Sequence, residues 1–283
     1  MDWFMQGIEK GLFEVRNPYN LKISRVPSRP DAVHSIVFWS KNFAPFIDGG
    51  YGQMLSRSGY HIYFQFTINC ENPILEPNIP PMYERLEQAK ALCRDYGPEA
   101  VCWRFDPVCV YETEKDGRSD NTYCLESLAK AVSSLGIKRC VTSFVDLYPK
   151  VMRRAEKKPG FSFFDPPVSE KREMLMSMKK ILDEYGINMV TCCEKDVMEN
   201  WTNEPGIKQG ACIDHRILSK LYGPGLNMKK DRGQRSSKGC GCMVSKDIGS
   251  YAQHPCFHAC LFCYANPAQD ARKKKNEDRP ALY

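Results

Sequence analysis

Three cysteines near the C-terminus have a spacing that suits an inorganic cluster. In HPCFHACLFCYANP, Cys256, Cys260 and Cys263 follow the pattern C-x3-C-x2-C, with bulky aromatic residues between and after them. Three thiolates in so short a loop can bind three irons of one 4Fe-4S cluster and leave the fourth iron open, because soft sulfur ligands suit iron. The spacing therefore predicts an iron-sulfur cluster with one vacant coordination position.

This spacing is similar to the signature of radical S-adenosylmethionine enzymes, in which the amino and carboxyl groups of the cofactor chelate the open iron. The resemblance implies that S-adenosylmethionine is bound and cleaved reductively to start radical chemistry on a substrate that the sequence does not identify. It also implies a one-electron donor, such as ferredoxin or flavodoxin, as a partner. Tyr264 and Asn266 follow the triad directly and are the candidate contacts to the cofactor.

Further cysteines offer ligands for a second centre. Cys192 or Cys193 ends a predicted strand, Cys212 follows a glycine in QGACIDHR, and Cys240 and Cys242 flank a glycine that lets the backbone come close to an inorganic centre. With Cys192 chosen from the first pair, four thiols could hold a second 4Fe-4S cluster with full protein ligation. Alternatively, one of them is the fourth ligand of the first cluster or a catalytic hydrogen donor.

Zinc is the chemical rival at the C-terminal triad, because His254 and His258 stand beside it and mixed sulfur and nitrogen ligands make structural zinc sites. The usual zinc pattern repeats a two-cysteine knuckle, which is absent here. A set of purely structural thiols is the third reading. Buried cysteines are usually dispersed in apolar strands, as Cys102, Cys109 and Cys140 are.

Composition bounds the class of protein. Hydrophobic residues make up 42% of the 283, so the chain can bury a sizeable core, and no run of eighteen apolar residues could cross a bilayer. The start, MDWFMQGIEKG, does not read as a secretory signal. We therefore expect a cytoplasmic protein with no membrane partner, in which most of the fourteen cysteines bind metal or catalyse rather than form a disulfide framework.

The formal net charge of +6 favours anionic ligands, and part of it lies in two basic runs, 229–238 and 272–275. Blocks of like charge are usually solvated, so residues 271–283 are predicted to be a basic tail. Nucleic-acid binding is possible on this charge but is not favoured.

One unit recurs along the chain: a helical segment ending in glycine, then an apolar run. It occurs at CRDYG then PEAVCWRFDPVCV, at SLAKAVSSLG then IKRCVTSFVDLY, and at ILDEYG then INMVTCCE. Further strands are predicted at 35–41 and 60–68, weaker ones at 21–26 and 207–213, and helices at 81–96 and 169–185. Strands that alternate with helices predict an α/β fold with a parallel sheet, here a partial TIM-barrel-like sheet with helices outside and a C-terminal cysteine-rich iron-sulfur segment.

Polar residues stand at the carboxyl ends of five predicted strands, the rim at which barrel enzymes place catalytic groups. The candidate catalytic residues are Lys41, Arg104, Asp106, Asp146 and Glu194. Lysine and arginine, with Arg235, can bind anionic groups, and the carboxylates can bind ribose hydroxyls, cationic groups or transferable protons. Alternatively, these residues cap helices or pair with each other.

The chain resembles the bacterial family called domain of unknown function 1848 over nearly all of its length. The segments that carry the resemblance are VRNPYN (15–20), VFWSKN (37–42), YFQFTIN (63–69), WRFDPV (103–108), SFVDLYPK (143–150), TCCE (191–194), ACID (211–214), KKDRGQR (229–235), GCGCMVSKDIGSY (239–251) and CFHACLFCYANP (256–267). The family implies a radical-S-adenosylmethionine-like cysteine cluster at the C-terminus. We expect an α/β barrel-like domain at 1–228, a cysteine-rich cluster-binding segment at 229–270 packed on it, and the tail at 271–283.

The chain departs from two patterns. Members of the family carry a strand with a Ser-Arg-Arg-Thr-Asp segment before the Asp-Trp-Phe found here at residues 2–4, so the expected sheet lacks that strand. Radical enzymes generally carry the triad near the first barrel strand, so a C-terminal triad is expected to fold back over the barrel mouth, by analogy with the thiamine pyrimidine synthase.

Three functions follow from these patterns. The first is a radical S-adenosylmethionine-type enzyme acting on an unidentified small or anionic substrate. The second is an iron-sulfur protein for electron transfer or sensing, without cofactor cleavage. The third is a zinc-stabilised nucleic-acid-binding protein that uses the basic runs.

Overall fold

The computed structural model describes residues 1–17, 20–201, 206–231, 235–250 and 253–265. The strands are β1 (Leu12–Arg16), β2 (Ile23–Pro27), β3 (Ile36–Ser40), β4 (Ile62–Thr67), β5 (Val101–Val108), β6 (Val110–Thr113), β7 (Gly117–Asp120), β8 (Arg139–Phe144), β9 (Phe161–Phe164), β10 (Asn188–Thr191) and β11 (Lys208–Gln209). The α-helices are α1 (Asp2–Lys10), α2 (Ala44–Asp48), α3 (Tyr51–Arg57), α4 (Met82–Tyr96), α5 (Leu125–Ser134), α6 (Pro149–Ala155), α7 (Val168–Glu184), α8 (Lys195–Met198) and α9 (His215–Tyr222).

Six strands form a parallel sheet in the order β3-β4-β5-β8-β10-β11, so each strand lies beside the next one of the sheet along the chain. The prediction of a mixed α/β fold with a parallel sheet is confirmed, including its five main strands. β11 is the short edge strand within the weak candidate 207–213. In the part of the chain that the structure describes, no pairing of β3 with β11 closes this sheet into a barrel.

The other weak candidate, 21–26, was assigned to the wrong sheet. Its residues form β2, which pairs antiparallel with β1 in a separate two-stranded sheet. The reason is local: β1 precedes β2 by only a short connection, and antiparallel neighbours need no crossover.

Alternation along the strands divides the buried side chains between the two faces of the parallel sheet. In β4, Ile62, Phe64 and Phe66 belong to the main core, whereas Tyr63 lies in a separate cluster on the other face. Helices α4, α5 and α7 contribute apolar stripes to the main core through Ala89, Leu92, Leu125, Leu128, Ala129, Val132, Leu175, Met178 and Leu182. This packing fixes the first face and leaves the second face for other elements.

The second face carries the smaller cluster, in which sheet residues pack with α9 and with cysteines. Its sheet members include Tyr63, Cys102 and Val141, and Leu218 of α9 packs with them. Asp214 caps α9 by accepting a hydrogen bond from the Arg216 amide at 3.0 Å. Helix α9 therefore holds the segment that contains Cys212 against the sheet.

A three-stranded antiparallel sheet, β7-β6-β9, was missed by the sequence analysis. The apolar run PEAVCWRFDPVCV hid a break, because β5 ends at Val108 and β6 begins at Val110 in a different sheet. Tyr111, Phe161 and Phe163 of this sheet pack with Val151 of α6 in a third apolar cluster. That cluster forms the seat for the C-terminal cysteines.

Two further observations concern the environment of the chain. No helix among the described residues is long and apolar enough to cross a membrane. Cys70 and Cys124 form a disulfide, with their Cα atoms 5.7 Å apart. This pair forms because the loop after β4 meets the start of α5, and the other twelve cysteines remain thiols.

Candidate functional site

The C-terminal triad lies in a loop that packs on the third apolar cluster. Cys260, Leu261 and Phe262 are buried in that cluster, and Cys263 packs against it. The Leu261 amide donates a hydrogen bond of 2.8 Å to the Leu75 carbonyl, and the guanidinium of Arg154 donates to the Cys263 carbonyl. The loop is thus held by the connection after β4 and by α6.

The three thiols of the triad lie near one another and beside a cation. Burial, with Glu76, Cys263 and Cys256, raises the pKa of Cys260 to about 12 against the opposing effect of Lys41. Lys41 Nζ also lies 5.1 Å from the centroid of the Phe262 ring. The triad therefore gathers next to a positive charge that would stabilise thiolates.

Lys41 comes from the carboxyl end of β3 and is paired with a buried carboxylate. Its Nζ lies 2.6 Å from Glu76 Oε1, with the Glu76 side chain only 3% exposed. Burial alone would lower the pKa of Lys41, but Glu76 and then Cys260 raise it above its ordinary value. Lys41 thus stays charged next to the triad.

Asp106, at the end of β5, connects Lys41 with a second cation. Its carbonyl accepts hydrogen bonds from Lys41 Nζ at 3.4 Å and from Asn69 Nδ2 at 3.2 Å. Its carboxylate accepts from Arg104 Nη2 at 2.5 Å and from the Ser143 hydroxyl. Lys41, Arg104 and Asp106 are therefore brought together, and Asp106 contacts both cations.

Arg104 reaches from Asp106 to a second group of thiols. Its Nη1 donates to Cys212 Sγ at 2.9 Å, and its guanidinium lies 4.7 Å from the centroid of the half-exposed Trp39 ring. Burial alone would lower the pKa of Arg104, but Asp106 and Cys212 raise it well above its ordinary value. Arg104 is therefore a permanent buried cation beside these sulfurs.

Five thiols from three parts of the chain form what we call the thiol ring, which consists of Cys192, Cys193, Cys212, Cys240 and Cys242. Cys192 Sγ lies 3.1 Å from Cys212 Sγ and 3.7 Å from Cys193 Sγ. The ring continues through hydrogen bonds between the side chains of Cys212 and Cys242, Cys242 and Cys240, and Cys240 and Cys193. All five residues are buried.

The backbone near the ring takes conformations that bring these sulfurs together. Cys193 has φ +61°, in the left-handed region that costs energy for a residue with a side chain. Consecutive strand residues point to opposite faces, so this turn is what lets both Cys192 and Cys193 join the ring. A Cβ on Gly241 would lie 2.7 Å from the Gly210 carbonyl oxygen. Glycine at this position therefore lets the Cys240–Cys242 segment pack closely against the backbone at Gly210. The sequence analysis expected this glycine to allow approach to an inorganic centre instead.

The charges around the ring favour thiolate at one position in particular. Hydrogen bonds from the thiols of Cys192 and Cys242, and then Arg104, lower the pKa of Cys212 well below its ordinary value. The Ile213 amide points at Cys242 Sγ, 3.4 Å away. Hydrogen-bond donors directed at sulfur are a feature of protein sites that bind metals through thiolates.

Asp146, which follows β8, pairs with the cysteine-rich segment. Its carboxylate contacts the Arg235 guanidinium, and Lys238 Nζ lies 3.3 Å from Asp146 Oδ1. Two cations of the basic run 229–238 are thus neutralised within the protein. Asp146 anchors the segment that carries Cys240 onto the carboxyl edge of the sheet.

Glu194 follows the thiol pair of the β10 end and points back at β8. Its Oε1 accepts a hydrogen bond from the Phe144 amide at 2.8 Å. Burial raises the pKa of Glu194 to about 7, although the hydrogen bond from Phe144 lowers it. It lies in the same group of polar strand ends as Asp106, whose charge also raises its pKa.

Tyr264 lies over the same edge, and Asn266 falls outside the described residues. The Tyr264 ring is 5.8 Å from the Arg235 guanidinium and 6.1 Å from the Tyr148 ring. The two histidines of the zinc alternative have other contacts. His254 stacks on Trp3 at 3.8 Å between ring centroids, and His258 Nδ1 lies 3.2 Å from the Asn78 carbonyl oxygen.

The donor sets can be compared with the groups they would hold. Among the described residues, no group of three or more histidine, cysteine, aspartate or glutamate side chains is arranged to hold a single metal ion. A 4Fe-4S cluster makes a different demand, because each thiolate binds a different iron and the sulfurs lie further apart than the ligands of one ion. Three thiols, of which the buried Cys260 lies near Lys41, fit that demand in number and in chemistry.

Several residues of this region escaped the sequence analysis. Glu76 lies in a loop whose sequence carries no motif, although NPILEPNIPP follows directly on a strand end. Trp39 precedes Lys41 in VFWSKN and could have been found as the half-exposed aromatic residue of a strand. Ser143 was not among the predicted residues, and Cys193 was named only as the alternative to Cys192.

Comparison with protein-family models matches residues 1–265 to a family described as domain of unknown function (DUF1848). No curated protein matches the chain.

Proposed function

We propose that this chain, which belongs to the DUF1848 family, is a radical S-adenosylmethionine-type enzyme with its cluster at Cys256, Cys260 and Cys263. One observation carries the proposal. The triad is seated at the carboxyl edge of a parallel sheet, where Cys260 lies beside Lys41 and the polar strand ends converge. This is the edge at which α/β folds bind ligands and place catalytic groups.

The residues around the triad have separate tasks in this proposal. The three thiols hold the cluster, and the apolar seat of Leu261 and Phe262 keeps water from one side of it. Lys41, fixed by Glu76, offsets negative charge on the thiolates.

When bound, the cluster and S-adenosylmethionine would supply reductive cleavage of the sulfonium and removal of a hydrogen atom from a substrate. Tyr264 lies against the triad and Arg235 lies against Tyr264, so these two side chains are the described candidates to orient the cofactor, with Asn266 as the adjoining one. Arg104, Asp106, Asp146 and Glu194 lie at the same edge of the sheet, where Arg104 and Glu194 would bind or exclude substrate groups. Since Asp106 and Asp146 are already ion-paired, we propose that they position the side chains of Arg104 and Arg235 and do not bind substrate directly.

The sheet order supports a partial-barrel interpretation of this proposal. Successive strands of the sheet are neighbours throughout, as in a TIM barrel, and the helices α4, α5 and α7 all pack on one face. The second face is covered by α9 and by the thiol ring. We propose that the cysteine-rich segment takes the place of the missing part of a barrel wall.

The competing functions differ in what supports them. In the basic run 229–238, Arg235 and Lys238 form ion pairs with Asp146, which weakens the nucleic-acid interpretation. The other basic run, 272–275, lies outside the described residues. A non-catalytic iron-sulfur protein would share both thiol sites. It would differ only in lacking cofactor cleavage, so experiment must separate them.

The test begins with protein purified without oxygen, in which iron, sulfide and zinc are measured per chain. Dithionite and S-adenosylmethionine are then added, and 5'-deoxyadenosine is quantified. We expect iron with equimolar sulfide, and 5'-deoxyadenosine that disappears in Cys260→Ala. Zinc without sulfide would overturn the proposal, and iron and sulfide without cofactor cleavage would favour the electron-transfer function. A ferredoxin or flavodoxin, the partner we propose in a cytoplasmic setting, should replace dithionite.

A further inference from the structure

The thiol ring is separate from the triad and is not used by the proposed reaction. Its sulfurs contact Arg104 and the amide of Ile213, whereas the triad contacts Lys41 and packs in a different apolar cluster. A chain of contacts that runs from Lys41 through Asp106 to Arg104 connects the two groups. A role for the ring must therefore be argued from its own residues.

We propose that the thiol ring is the site of a second iron-sulfur cluster whose irons are all bound by the protein. Five buried sulfurs from the ends of two strands and from a glycine-flanked segment meet at one place. Structural thiols are usually dispersed, whereas these five gather at one place within the apolar cluster on the second face of the sheet. Soft sulfur as the only donor type selects iron-sulfur clusters, zinc or Cu(I).

The surroundings of the sulfurs suit a buried anionic centre. Four thiolates can hold either a tetrahedral ion or a four-iron cluster, and a measurement of sulfide distinguishes the two. Cys192 Sγ lies 3.1 Å from Cys212 Sγ and 3.7 Å from Cys193 Sγ, closer than thiolates that bind different irons, so these side chains must turn apart when a cluster binds. A cluster bound by four thiolates is anionic, and its charge must be compensated when it is buried. Arg104, whose side chain is 4% exposed, and the Ile213 amide supply that compensation directly at Cys212 and Cys242.

The ring offers one thiol more than a four-iron cluster requires. The strand end provides two adjacent candidates, Cys192 and Cys193, and the left-handed turn at Cys193 directs both inward. Because such a cluster has no open iron, its chemistry is limited to taking up one electron from a carrier of the ferredoxin or flavodoxin type and passing it on. The ring would thus be an electron-transfer site and not a second place for substrate.

Two matched variants test this inference by metal content. One variant combines Cys256→Ser, Cys260→Ser and Cys263→Ser, and the other combines Cys212→Ser, Cys240→Ser and Cys242→Ser. After anaerobic reconstitution, we expect about eight irons and eight sulfides in the unchanged protein and about four of each in either variant, since each cluster has four of both. Cys93→Ser, at a half-buried thiol of α4 outside both groups, should keep the full content.

The triad variant decides the outcome, because it leaves the ring intact even if the ring variant fails to fold. It should retain sulfide-bearing iron and show the electron paramagnetic resonance signal of a reduced 4Fe-4S cluster. A triad variant that binds no iron, or zinc without sulfide, would overturn the inference. So would a folded ring variant that keeps all of the iron. If the triad variant keeps about four irons while the unchanged protein cleaves no S-adenosylmethionine, the proposed function fails and the second cluster stands.

Discussion

Arg104 and Cys212 are joined by a hydrogen bond of 2.9 Å between Nη1 and Sγ, although they are 108 residues apart in the chain. The same guanidinium holds Asp106 at 2.5 Å. A buried cation thus connects the carboxyl edge of the parallel sheet to the thiol ring. This contact makes the ring electrically distinct from a set of inert buried thiols.

Replacing Arg104 by lysine should lower the reduction potential of the cluster that we propose at the ring. Lysine keeps the charge but has one nitrogen, which cannot serve both Asp106 and Cys212 as the guanidinium fork does. Donors to sulfur stabilise the more negative reduced state, so losing one lowers the potential. A shift on the order of 50 mV is expected, since a hydrogen bond to a charged group contributes about 1.5 kcal/mol and 59 mV corresponds to about 1.4 kcal/mol for one electron.

The potential is read from a redox titration monitored by electron paramagnetic resonance in the triad variant. Arg118→Lys is the control, because Arg118 pairs with Glu170 on the antiparallel sheet away from the ring. An unchanged potential in a folded Arg104→Lys protein would show that the guanidinium does not act on a cluster.

Substituting Leu261 by alanine should remove the triad's iron while sparing that of the ring. Leu261 is 3% exposed and belongs to the apolar seat of the triad loop. Truncation of a buried leucine to alanine lowers the free energy of unfolding by about 2–5 kcal/mol. Here the lost contacts are those that hold the short triad loop in place. Iron should drop by about four per chain, the content of one cluster. Leu128→Ala, at an equally buried site on α5, should lower stability but keep the iron. Equal losses of iron in the two variants would contradict a specific role for the seat.

Neutralising Glu76 should destabilise the fold through Lys41. In Glu76→Gln the buried ammonium loses its carboxylate partner, and breaking such a pair costs about 3 kcal/mol even at the lower end of the measured range. The free energy of unfolding is measured by urea titration without oxygen. Asp183→Asn breaks an exposed pair with Lys179 and should cost less than about 0.5 kcal/mol. A Glu76→Gln protein as stable as Asp183→Asn would contradict the assignment of Lys41 as a buried charge.

The sheet was predictable because its signal is local. Three of the five main strands, β5, β8 and β10, follow a helix that ends near a glycine, and Gly97, Gly136 and Gly186 all have positive φ where the chain leaves the helix. The antiparallel sheet was not predictable, because the pairing of β6 with β9 joins segments about fifty residues apart that have no repeat in common.

The site was predictable in its residue types but not in its pairings. Polar strand ends must meet at one edge of a parallel sheet, which is why Lys41, Arg104 and Asp106 were found. Glu76 belongs to a loop whose path depends on tertiary contacts. The sequence left open whether Cys192 or Cys193 is the ligand, and the left-handed backbone at Cys193 brings both thiols to the ring.

The central claim is that the triad holds a cluster with an iron open to S-adenosylmethionine. The most direct test is the electron paramagnetic resonance spectrum of the reduced ring variant, which retains only the triad, recorded with and without S-adenosylmethionine. The account predicts a 4Fe-4S signal whose g values change when S-adenosylmethionine is added, and no such signal in Cys260→Ala made in the same background. A cluster signal that S-adenosylmethionine leaves unchanged would contradict it.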